Sequence, residues 1–347
     1  MRVLLTGHQG YLGTVMSPVL ASAGHQVVGL DSGLFAGCLL GPAPTDPPGI
    51  ARDIRDVGPA DLAGFDAVVH LAALSNDPLG SLAPELTYAI NRDASIRLAE
   101  LARGAGVRRF LYASTCSVYG ASDPDQLVGE NAPLRPVTAY AKSKVQVEDA
   151  LFGLADDDFT PVALRNATAF GFSPRPRADI VLNNLVGRAV LGGEARVLSD
   201  GTPWRPLVHA EDIAGAFLAA LEAPRASVRA RAFNVGRPEN NLTVAQIAEA
   251  VVDAVPGSRL LISGETGPDP RSYRVDFSAV STALPAFRAR WTVPDGAREL
   301  YRAYLAHNLT RDRFDQRFTR LTWLSRRRDA GEIGADLRPS AVPAGSR

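Results

Sequence analysis

Lysine is nearly absent from this chain of 347 residues, in which only Lys142 and Lys144 occur and every other basic side chain is an arginine. Cysteine is equally scarce. Its two residues, Cys38 and Cys116, are too few and too far apart to suggest a disulfide framework or a metal cluster. Acidic and basic residues balance at 37 each, so the composition predicts neither a nucleic acid nor a membrane surface as a partner.

Long apolar runs are also missing. Apolar residues make up 46% of the chain and charged residues 21%, values typical of a soluble globular protein. The first residues have the pattern of a strand rather than of a charged leader followed by an apolar segment and a cleavage site. We therefore expect a cytoplasmic protein without bound metal.

A glycine-rich turn stands close to the start of the chain. The apolar strand 2–6 runs into Gly7-His8-Gln9-Gly10-Tyr11-Leu12-Gly13, and helical periodicity follows from 11 to 23. Glycines at this spacing permit a tight turn and a close approach of the backbone to a diphosphate, whose negative charge the helix N-terminus favours. The pattern predicts a dinucleotide site.

Acidic residues follow the next two extended segments. Asp31 ends the predicted strand 25–30, about twenty residues beyond the glycine turn, where a carboxylate accepts hydrogen bonds from ribose hydroxyls. A carboxylate there repels a 2′-phosphate, so we expect NAD rather than NADP as cofactor. Asp53 is placed to meet the adenine amino group, and an exposed loop acid is the alternative interpretation.

Strands and helices alternate up to residue 165 and predict a doubly wound parallel (Rossmann) sheet covered on both faces. Beyond residue 166 the segments become short, which predicts a smaller C-terminal substrate-binding lobe with a helix over 177–191. We expect a cofactor domain over 1–175, with segments near 205–235 returning to it, and a substrate lobe over 176–309. A helical extension over 310–347 would end in a frayed tail from Pro339 onward.

Tyr140 and Lys144 lie four residues apart at the start of a predicted helix, so their side chains share one helix face. A nearby ammonium group favours the phenolate over the phenol, whose ordinary pKa is about 10. Tyr140 would then exchange a proton with a substrate hydroxyl near neutral pH. The alternative is a solvated helix turn, and the hydroxyl-rich strand end Ser114-Thr115-Cys116-Ser117 favours the catalytic interpretation.

Taken together, the glycine turn, the acids at 31 and 53, His70-Leu71-Ala72-Ala73, Asn91, the hydroxyl segment and Tyr140-x-x-x-Lys144 carry a resemblance. The chain resembles the extended short-chain dehydrogenases/reductases of the NAD-dependent epimerase/dehydratase group over roughly residues 1–308. The resemblance implies NAD in the first domain, a nucleotide-activated sugar in the second, and a homodimer. The cofactor-binding residues it implies are Gly7, Gln9, Gly10, Tyr11, Leu12, Gly13, Asp31, Asp53, Ile54, Leu71, Ala72, Ala73, Asn91, Ser114, Tyr140 and Lys144.

The same resemblance implies the catalytic roles. Tyr140 would be the base, Thr115 would bond the same sugar oxygen, and Lys144 would hold the nicotinamide ribose. The position that 4-epimerases use near the nucleotide is Thr266 here, which leaves the base (UDP-, dTDP- or GDP-) open. The substrate-binding residues it implies are Ser75, Asn76, Thr115, Cys116, Ser117, Tyr140, Asn166, Asn184, Arg205 and Arg271.

Cys116 and Ser117 stand where sugar dehydratases of the group carry Asp-Glu. Neither side chain replaces a carboxylate in proton transfer near neutral pH, which disfavours elimination of water. We expect a 4-epimerase that oxidises and re-reduces C4, and a packed role for Cys116. The alternatives are a 4-ketoreductase or oxidase, a dehydratase in which Cys116, Ser117 or Asp77 supplies the proton transfer, and a non-catalytic NAD sensor or scaffold.

Overall fold

The computed structural model describes residues 1–75, 83–123, 126–264 and 272–340. Within these ranges, no helix combines the length and the apolar character that crossing a membrane requires. The strands there are β1 (Arg2–Thr6), β2 (Gln26–Asp31), β3 (Gly49–Ala51), β4 (Ala67–His70), β5 (Arg109–Thr115), β6 (Leu127–Val128), β7 (Thr160–Asn166), β8 (Thr168–Phe170), β9 (Glu194–Val197), β10 (Trp204–His209), β11 (Arg231–Val235), β12 (Asn241–Thr243), β13 (Arg259–Ile262) and β14 (Arg274–Val275). The helices are α1 (Tyr11–Ser22), α2 (Pro84–Thr87), α3 (Ala94–Gly104), α4 (Ala139–Gly153), α5 (Val181–Gly192), α6 (Ala210–Glu222), α7 (Arg225–Val228), α8 (Val244–Ala254), α9 (Ser278–Ala283), α10 (Val293–Ala306) and α11 (Arg320–Asp329).

The main sheet contains seven parallel strands in the order β3-β2-β1-β4-β5-β7-β11. Successive residues of β1 alternate between two buried apolar clusters, with Val3 and Leu5 in one and Leu4 in the other. Both faces are therefore covered, and the predicted doubly wound sheet is confirmed. The strand order reverses between β1 and β4, which opens a crevice at their carboxyl ends.

The helical pattern of the sequence over 84–104 corresponds to an interrupted helix in the structure. It runs as α2, a π-helical segment Tyr88–Asp93, and α3. The π segment carries Asn91, which is fully buried and exchanges two hydrogen bonds with the backbone of Leu74, at 2.8 and 3.0 Å. A local widening of the helix thus anchors the loop that follows β4.

The second lobe is built around a third apolar cluster, to which α5, α8 and α10 contribute. The helix predicted over 177–191 begins only at Val181, so the prediction is wrong at its start. Ile180 has extended dihedral angles (φ −112°, ψ 143°), and an ion pair between Arg177 and Asp179 holds the residues just before it. The two polar side chains therefore precede the helix instead of lying on its surface.

The C-terminal extension packs against the loop between β2 and β3. The Trp323 indole donates to the Leu34 carbonyl at 2.8 Å, and Arg313 donates to the Leu39 carbonyl at 2.6 Å. Only part of the extension is helical, namely a π-helical segment Arg313–Arg317 and α11. These contacts hold the loop that begins directly after Asp31.

The frayed tail was predicted to start at Pro339, and this start is wrong. Pro339 forms an isolated antiparallel bridge with Ile333, and the Ser340 amide donates to the Glu332 carbonyl at 3.0 Å. Backbone pairing therefore continues through Ser340, and the last seven positions of the predicted tail lie outside the described residues.

Candidate active site

A cleft of about 1010 Å³ lies between the carboxyl edge of the main sheet and the second lobe. Its volume is at the upper end of the usual range for ligand pockets, about 300–1,000 Å³. We call its two sides the sheet wall and the lobe wall. The sheet wall includes Gly7, Gly10, Tyr11, Leu12, Gly13, Asp31, Leu71–Ser75, Ser114, Thr115, Ser117, Tyr140, Lys144 and Asn166. The lobe wall includes apolar and small residues together with Arg177, Asp179, Asn184, Arg196, Asp200, Arg205 and Arg320.

The glycine turn brings its backbone to the sheet wall because side chains have no room there. A Cβ atom on Gly13 would lie 2.2 Å from the Gly7 carbonyl oxygen, and one on Gly7 (φ +76°) would lie 2.9 Å from the Ala72 amide nitrogen. Gly10 caps α1 without a side-chain hydrogen bond, and the first amides of a helix have no partner within it. This bare helix N-terminus fits the diphosphate of a dinucleotide.

Asp31 lies beside that turn at the end of β2. Its carboxylate accepts from the amides of Gln9 at 3.0 Å and Gly33 at 2.8 Å, which fixes it while lone pairs remain for ribose hydroxyls. The Gln9 side chain instead donates to Asp46 at 3.1 Å. The backbone of Gln9 therefore serves the site, and its side chain points away from it.

Asp53 and Ile54 also line the cleft. They follow β3, which ends at Ala51. Asp53 caps a short 3₁₀ turn and forms an ion pair with Arg55 at 2.6 Å, a partner that the sequence did not indicate. Burial by itself would raise the pKa of Asp53, but the hydrogen bonds from Arg55 outweigh it and hold the pKa below its usual value. Asp53 is thus an ionised acceptor at this end of the cleft.

Tyr140 and Lys144 come together at the opposite end of the sheet wall. Thr138 begins α4 by accepting from the Ala141 amide at 3.1 Å, which places Tyr140 in the first turn. The Lys144 Nζ lies 5.6 Å from the centroid of the Tyr140 ring and donates to the Ala113 carbonyl at 2.7 Å. Lys144 is only 3% exposed. Burial lowers its pKa to about 7, against the opposing effect of Glu148.

Hydroxyl groups surround this pair at the end of β5. The Thr115 hydroxyl accepts from the Ser117 amide at 3.1 Å, and the Asn166 amide group donates to the Ser114 carbonyl at 3.3 Å. The Ser114 hydroxyl donates to Glu148, a buried carboxylate one helical turn beyond Lys144. Glu148 was not predicted from the sequence. Its spacing of four residues from Lys144, which places both side chains on one helix face, could have indicated it.

Glu148 is held by a buried arginine from β7. The Arg165 guanidinium donates to Glu148 at 2.7 Å and to the Tyr119 hydroxyl at 3.0 Å. Burial would lower the pKa of Arg165, but the contact with Glu148 raises it above its ordinary value. The pair therefore stays ionic and fixes the floor of the site beneath Ser114.

Cys116 does not reach the cleft, so the prediction that it binds substrate is wrong. The side chain is 1% exposed, and its thiol donates to the Arg165 carbonyl at 3.1 Å. Burial raises the pKa of the thiol far above its usual value. The expectation of a packed thiol is confirmed, because the 3₁₀ turn after β5 directs Cys116 into the core while Thr115 and Ser117 line the cleft.

The segment after β4 lines the cleft with small side chains, and Asn91 supports it from behind without lining the cleft itself. His70, interpreted from the sequence as a packing residue, is buried between the hydroxyls of Thr6 at 2.7 Å and Ser95 at 2.8 Å. Burial lowers the pKa of His70 to about 3, so this imidazole is neutral at physiological pH. These residues shape the sheet wall without taking part in its chemistry.

The lobe wall includes both Asn184 and Arg205, as predicted from the sequence. Asn184 donates to the Ala178 carbonyl at 2.7 Å. Its neighbour Asn183 is fully buried and exchanges two hydrogen bonds with the backbone of Gly171, each 3.1 Å long. Asn183 therefore has a structural role, and Asn184 is the member of the pair that faces the cleft.

Several charged residues of this wall were not predicted from the sequence, namely Arg177, Asp179, Arg196 and Arg320. The first two were assigned to a helix surface, and Arg320 comes from an extension assigned no function. Two predicted substrate residues, Asn76 and Arg271, lie outside the described residues, as do Asp77 and Thr266. Among the residues that the structure does describe, no group of three or more His, Cys, Asp or Glu side chains is placed to hold a metal ion.

Comparisons with known proteins agree with this geometry. The model of the NAD dependent epimerase/dehydratase family matches residues 3–236. The UDP-glucose 4-epimerase of Corynebacterium glutamicum is 30% identical over 267 residues, covering 72% of this chain and 79% of that protein. The solved structure of MoeE5 in complex with UDP-glucose and NAD is 27% identical with a TM-score of 0.75, covering 88% of this chain and 99% of that one.

A second solved structure is that of UDP-glucose-4-epimerase from Stenotrophomonas maltophila with bound NAD and formylated UDP-arabinopyranose. It is 27% identical with a TM-score of 0.75, covering 89% of this chain and 99% of that one. Fold and site together define an extended short-chain dehydrogenase/reductase. The chain belongs to the NAD dependent epimerase/dehydratase family, and it is an NAD-dependent enzyme.

Proposed function

We propose that the protein is a nucleotide-sugar 4-epimerase. The observation that carries this proposal is the composition of the sheet wall around Tyr140. A phenol, a buried cation and two hydroxyls are gathered there, while the residues after Thr115 offer no carboxylate that would remove a second proton or eliminate water. Chemistry at such a site is confined to moving one proton and one hydride at a single carbon.

Among the residues that the structure describes, the carboxylates near Tyr140 and Lys144 are held by arginines. Glu148 is buried beneath Ser114 and paired with Arg165. Arg177 holds Asp179 by two hydrogen bonds of 3.0 and 3.2 Å. Burial would raise the pKa of Asp179, but Arg177 lowers it below the usual value. Asp179 is therefore ionised and carries no proton for general acid catalysis near neutral pH.

NAD, when bound, supplies the acceptor that takes the hydride from C4 of the sugar and returns it. Tyr140 removes the proton of the C4 hydroxyl, and the Thr115 hydroxyl bonds the same oxygen. Lys144 stabilises the phenolate by its charge. After the 4-keto sugar has rotated within the cleft, hydride returned from the cofactor would reach the opposite face of C4 and invert that carbon. Tyr140 gives the proton back to the C4 oxygen.

The lobe wall binds the diphosphate of the sugar nucleotide through Arg205 and Asn184. A guanidinium matches phosphate oxygens with two donors, and the asparagine amide adds a neutral one. Arg196, exposed at the rim of the same wall, is paired with Glu194 at 3.1 Å. The cytoplasmic location and the homodimer are part of the proposal as predictions from the sequence.

Incubation of the purified protein with UDP-, dTDP-, GDP- and CDP-sugars, without added cofactor, tests this function. Product masses and proton NMR spectra are recorded, with Tyr140→Phe as the control. A product of unchanged mass that is inverted at C4 is expected. Loss of water or carbon dioxide would assign a lyase, and turnover only with added reduced cofactor would assign a ketoreductase; either result contradicts the epimerase.

A further inference from the structure

Arg320 is a buried cation at the cleft that has been brought there by the C-terminal extension. It is the first residue of α11, is 4% exposed and belongs to the lobe wall. Its Nη1 atom has no hydrogen-bond partner among the described residues, and Nη2 reaches only the Arg175 carbonyl at 3.5 Å. A buried guanidinium with one unpaired nitrogen is costly, so its presence in a binding cleft calls for an anion.

The described acidic side chains near Arg320 do not supply a free anion for its guanidinium. Arg177 and Arg320 both lie near Asp179, whose carboxylate Arg177 already holds by two hydrogen bonds. Asp46, a second described acid in this region, is paired with Arg175 at 2.7 Å. Two guanidinium groups thus share one carboxylate, and the cluster of Arg177, Asp179 and Arg320 carries a net charge of +1 at the cleft surface.

The position of Arg320 favours the cofactor side of the cleft. Its guanidinium carbon lies 4.2 Å from the centroid of the Phe35 ring, in the loop that starts directly after Asp31. Arg175, whose carbonyl faces Arg320, sends its own guanidinium to Thr14 of α1 at 3.0 Å. Arg320 therefore stands between the loop that follows the ribose-binding acid and the helix whose N-terminus suits a diphosphate.

We propose that Arg320 binds the diphosphate of the dinucleotide cofactor, so that the C-terminal extension completes the NAD site. The extension is well anchored for this role. The Phe318 carbonyl accepts from the Ala178 amide at 2.9 Å, and the Cys38 thiol donates to the Arg317 carbonyl at 3.2 Å. The inference rests on NAD binding and is independent of the assignment of 4-epimerase activity.

Cofactor-free full-length protein, its Arg320→Met variant and its Arg326→Met variant separate the possibilities. Methionine keeps an apolar stem against Phe35 and removes the charge, and Arg326 is a surface arginine of the same helix. Affinities for NAD, ADP-ribose, adenosine and UDP are measured by calorimetry. Arg320→Met should weaken NAD and ADP-ribose about tenfold to a hundredfold, as expected for a charge-assisted hydrogen bond, and leave adenosine and UDP unchanged.

Arg326→Met should leave all four affinities unchanged. Weaker binding of UDP alone would overturn the proposal by assigning Arg320 to the sugar nucleotide, and unchanged binding of all four ligands would overturn it outright. A crystal structure of the wild-type protein with NAD provides a measurement that does not depend on the variant folding. It should place an Arg320 nitrogen about 2.7–2.9 Å from a diphosphate oxygen, and a separation that leaves no contact would refute the assignment.

Discussion

The two walls of the cleft differ in the residue types and structural elements that form them. The sheet wall consists of strand ends, backbone amides, small side chains and hydroxyls, with the buried Lys144 as its cation. The lobe wall includes long charged and amide side chains from strands, loops and helices, and four of them are arginines. The sheet wall suits catalysis, because rigid strand ends hold reacting groups precisely. The lobe wall suits substrate binding, because long side chains supply charge for phosphates.

Replacing Tyr140 with phenylalanine should have the largest effect, because it removes the proton acceptor from the sheet wall and leaves every anchoring group in place. Turnover of the sugar nucleotide should fall about 10²–10⁴-fold, the usual contribution of a general base. Thermal stability and NAD affinity should change little. The measurement is initial rate by NMR, with NAD binding recorded on the same sample.

Tyr301→Phe is the matched control, since Tyr301 lies on α10 and is not among the residues lining the cleft. It should turn over at the wild-type rate. If Tyr140→Phe retained more than a tenth of the wild-type activity, the sheet wall would not supply the base, and the division between the walls would fail.

Gly13→Ala should damage the cofactor end of the sheet wall. The new Cβ would lie 2.2 Å from the Gly7 carbonyl oxygen and 2.6 Å from the His8 Cα, both backbone atoms. The turn must therefore shift, at a cost of about 1–3 kcal/mol for an overpacked site, and NAD affinity should fall with it. Denaturant unfolding and calorimetry with NAD measure the two effects.

Gly104→Ala is its control, because a Cβ atom on this last residue of α3 would meet nothing within 4 Å beyond its own neighbours in the helix. Alanine there should leave NAD binding unchanged and stabilise the protein by a few tenths of a kcal/mol to about 1 kcal/mol. Equal NAD affinity in Gly13→Ala and the wild type would show that the close approach of the turn does not matter for binding.

The contrast also explains what the sequence could predict. The residues of the sheet wall can be predicted from short sequence motifs. The glycine spacing, an acid after the second strand and a tyrosine four residues before a lysine each define a local backbone geometry. Strand ends of a parallel sheet meet at one edge, so Gly7, Asp31, Ser114 and Tyr140 were expected together from the sequence alone. Their shared position at the cleft confirms that part of the fold.

The lobe wall could not be predicted in this way. Arg177 and Asp179 were assigned to a helix because periodicity does not show where an ion pair stops the helix from starting. Arg320 meets the loop at Phe35 from nearly three hundred residues away, and no local pattern encodes such a contact. The prediction for Cys116 was wrong for a smaller reason: one 3₁₀ turn after β5 reverses which side chains face the cleft.

The pH behaviour of Lys144 tests whether the sheet wall buries its cation. Burial lowers the pKa of this ammonium from its ordinary value near 10.5 to about 7 in the cofactor-free protein. Since the chain contains only two lysines, labelling lysine with ¹³C at Cε yields two signals, and exposed Lys142 serves as the internal reference. The Lys144 signal should titrate with a midpoint near 7, and a midpoint close to 10.5 would mean that the side chain is solvated.

The same shift has a consequence for stability. Between about pH 7 and pH 10.5 the unfolded chain holds a proton that folded Lys144 has released, so the free energy of unfolding rises with pH in this window. Below about pH 7 both states are protonated and the full cost of burying the charge is present. Lys144→Met should lose this part of the rise and Lys142→Met should keep it, as measured by urea unfolding at several pH values.

Cys116→Ala should have the smallest effect on turnover. It tests whether the catalytic part of the sheet wall excludes the Cys116 side chain. The thiol lies in the core beside Arg165, so its removal costs one buried hydrogen bond, about 0.5–1.5 kcal/mol of stability. Turnover should stay within about threefold of the wild type, because neither Thr115 nor Ser117 needs the sulfur for its position at the cleft. Denaturant unfolding and initial rates measure the two effects. A hundredfold loss of turnover in a fully folded variant would place the thiol among the reacting groups and return the dehydratase and its proton transfers to consideration.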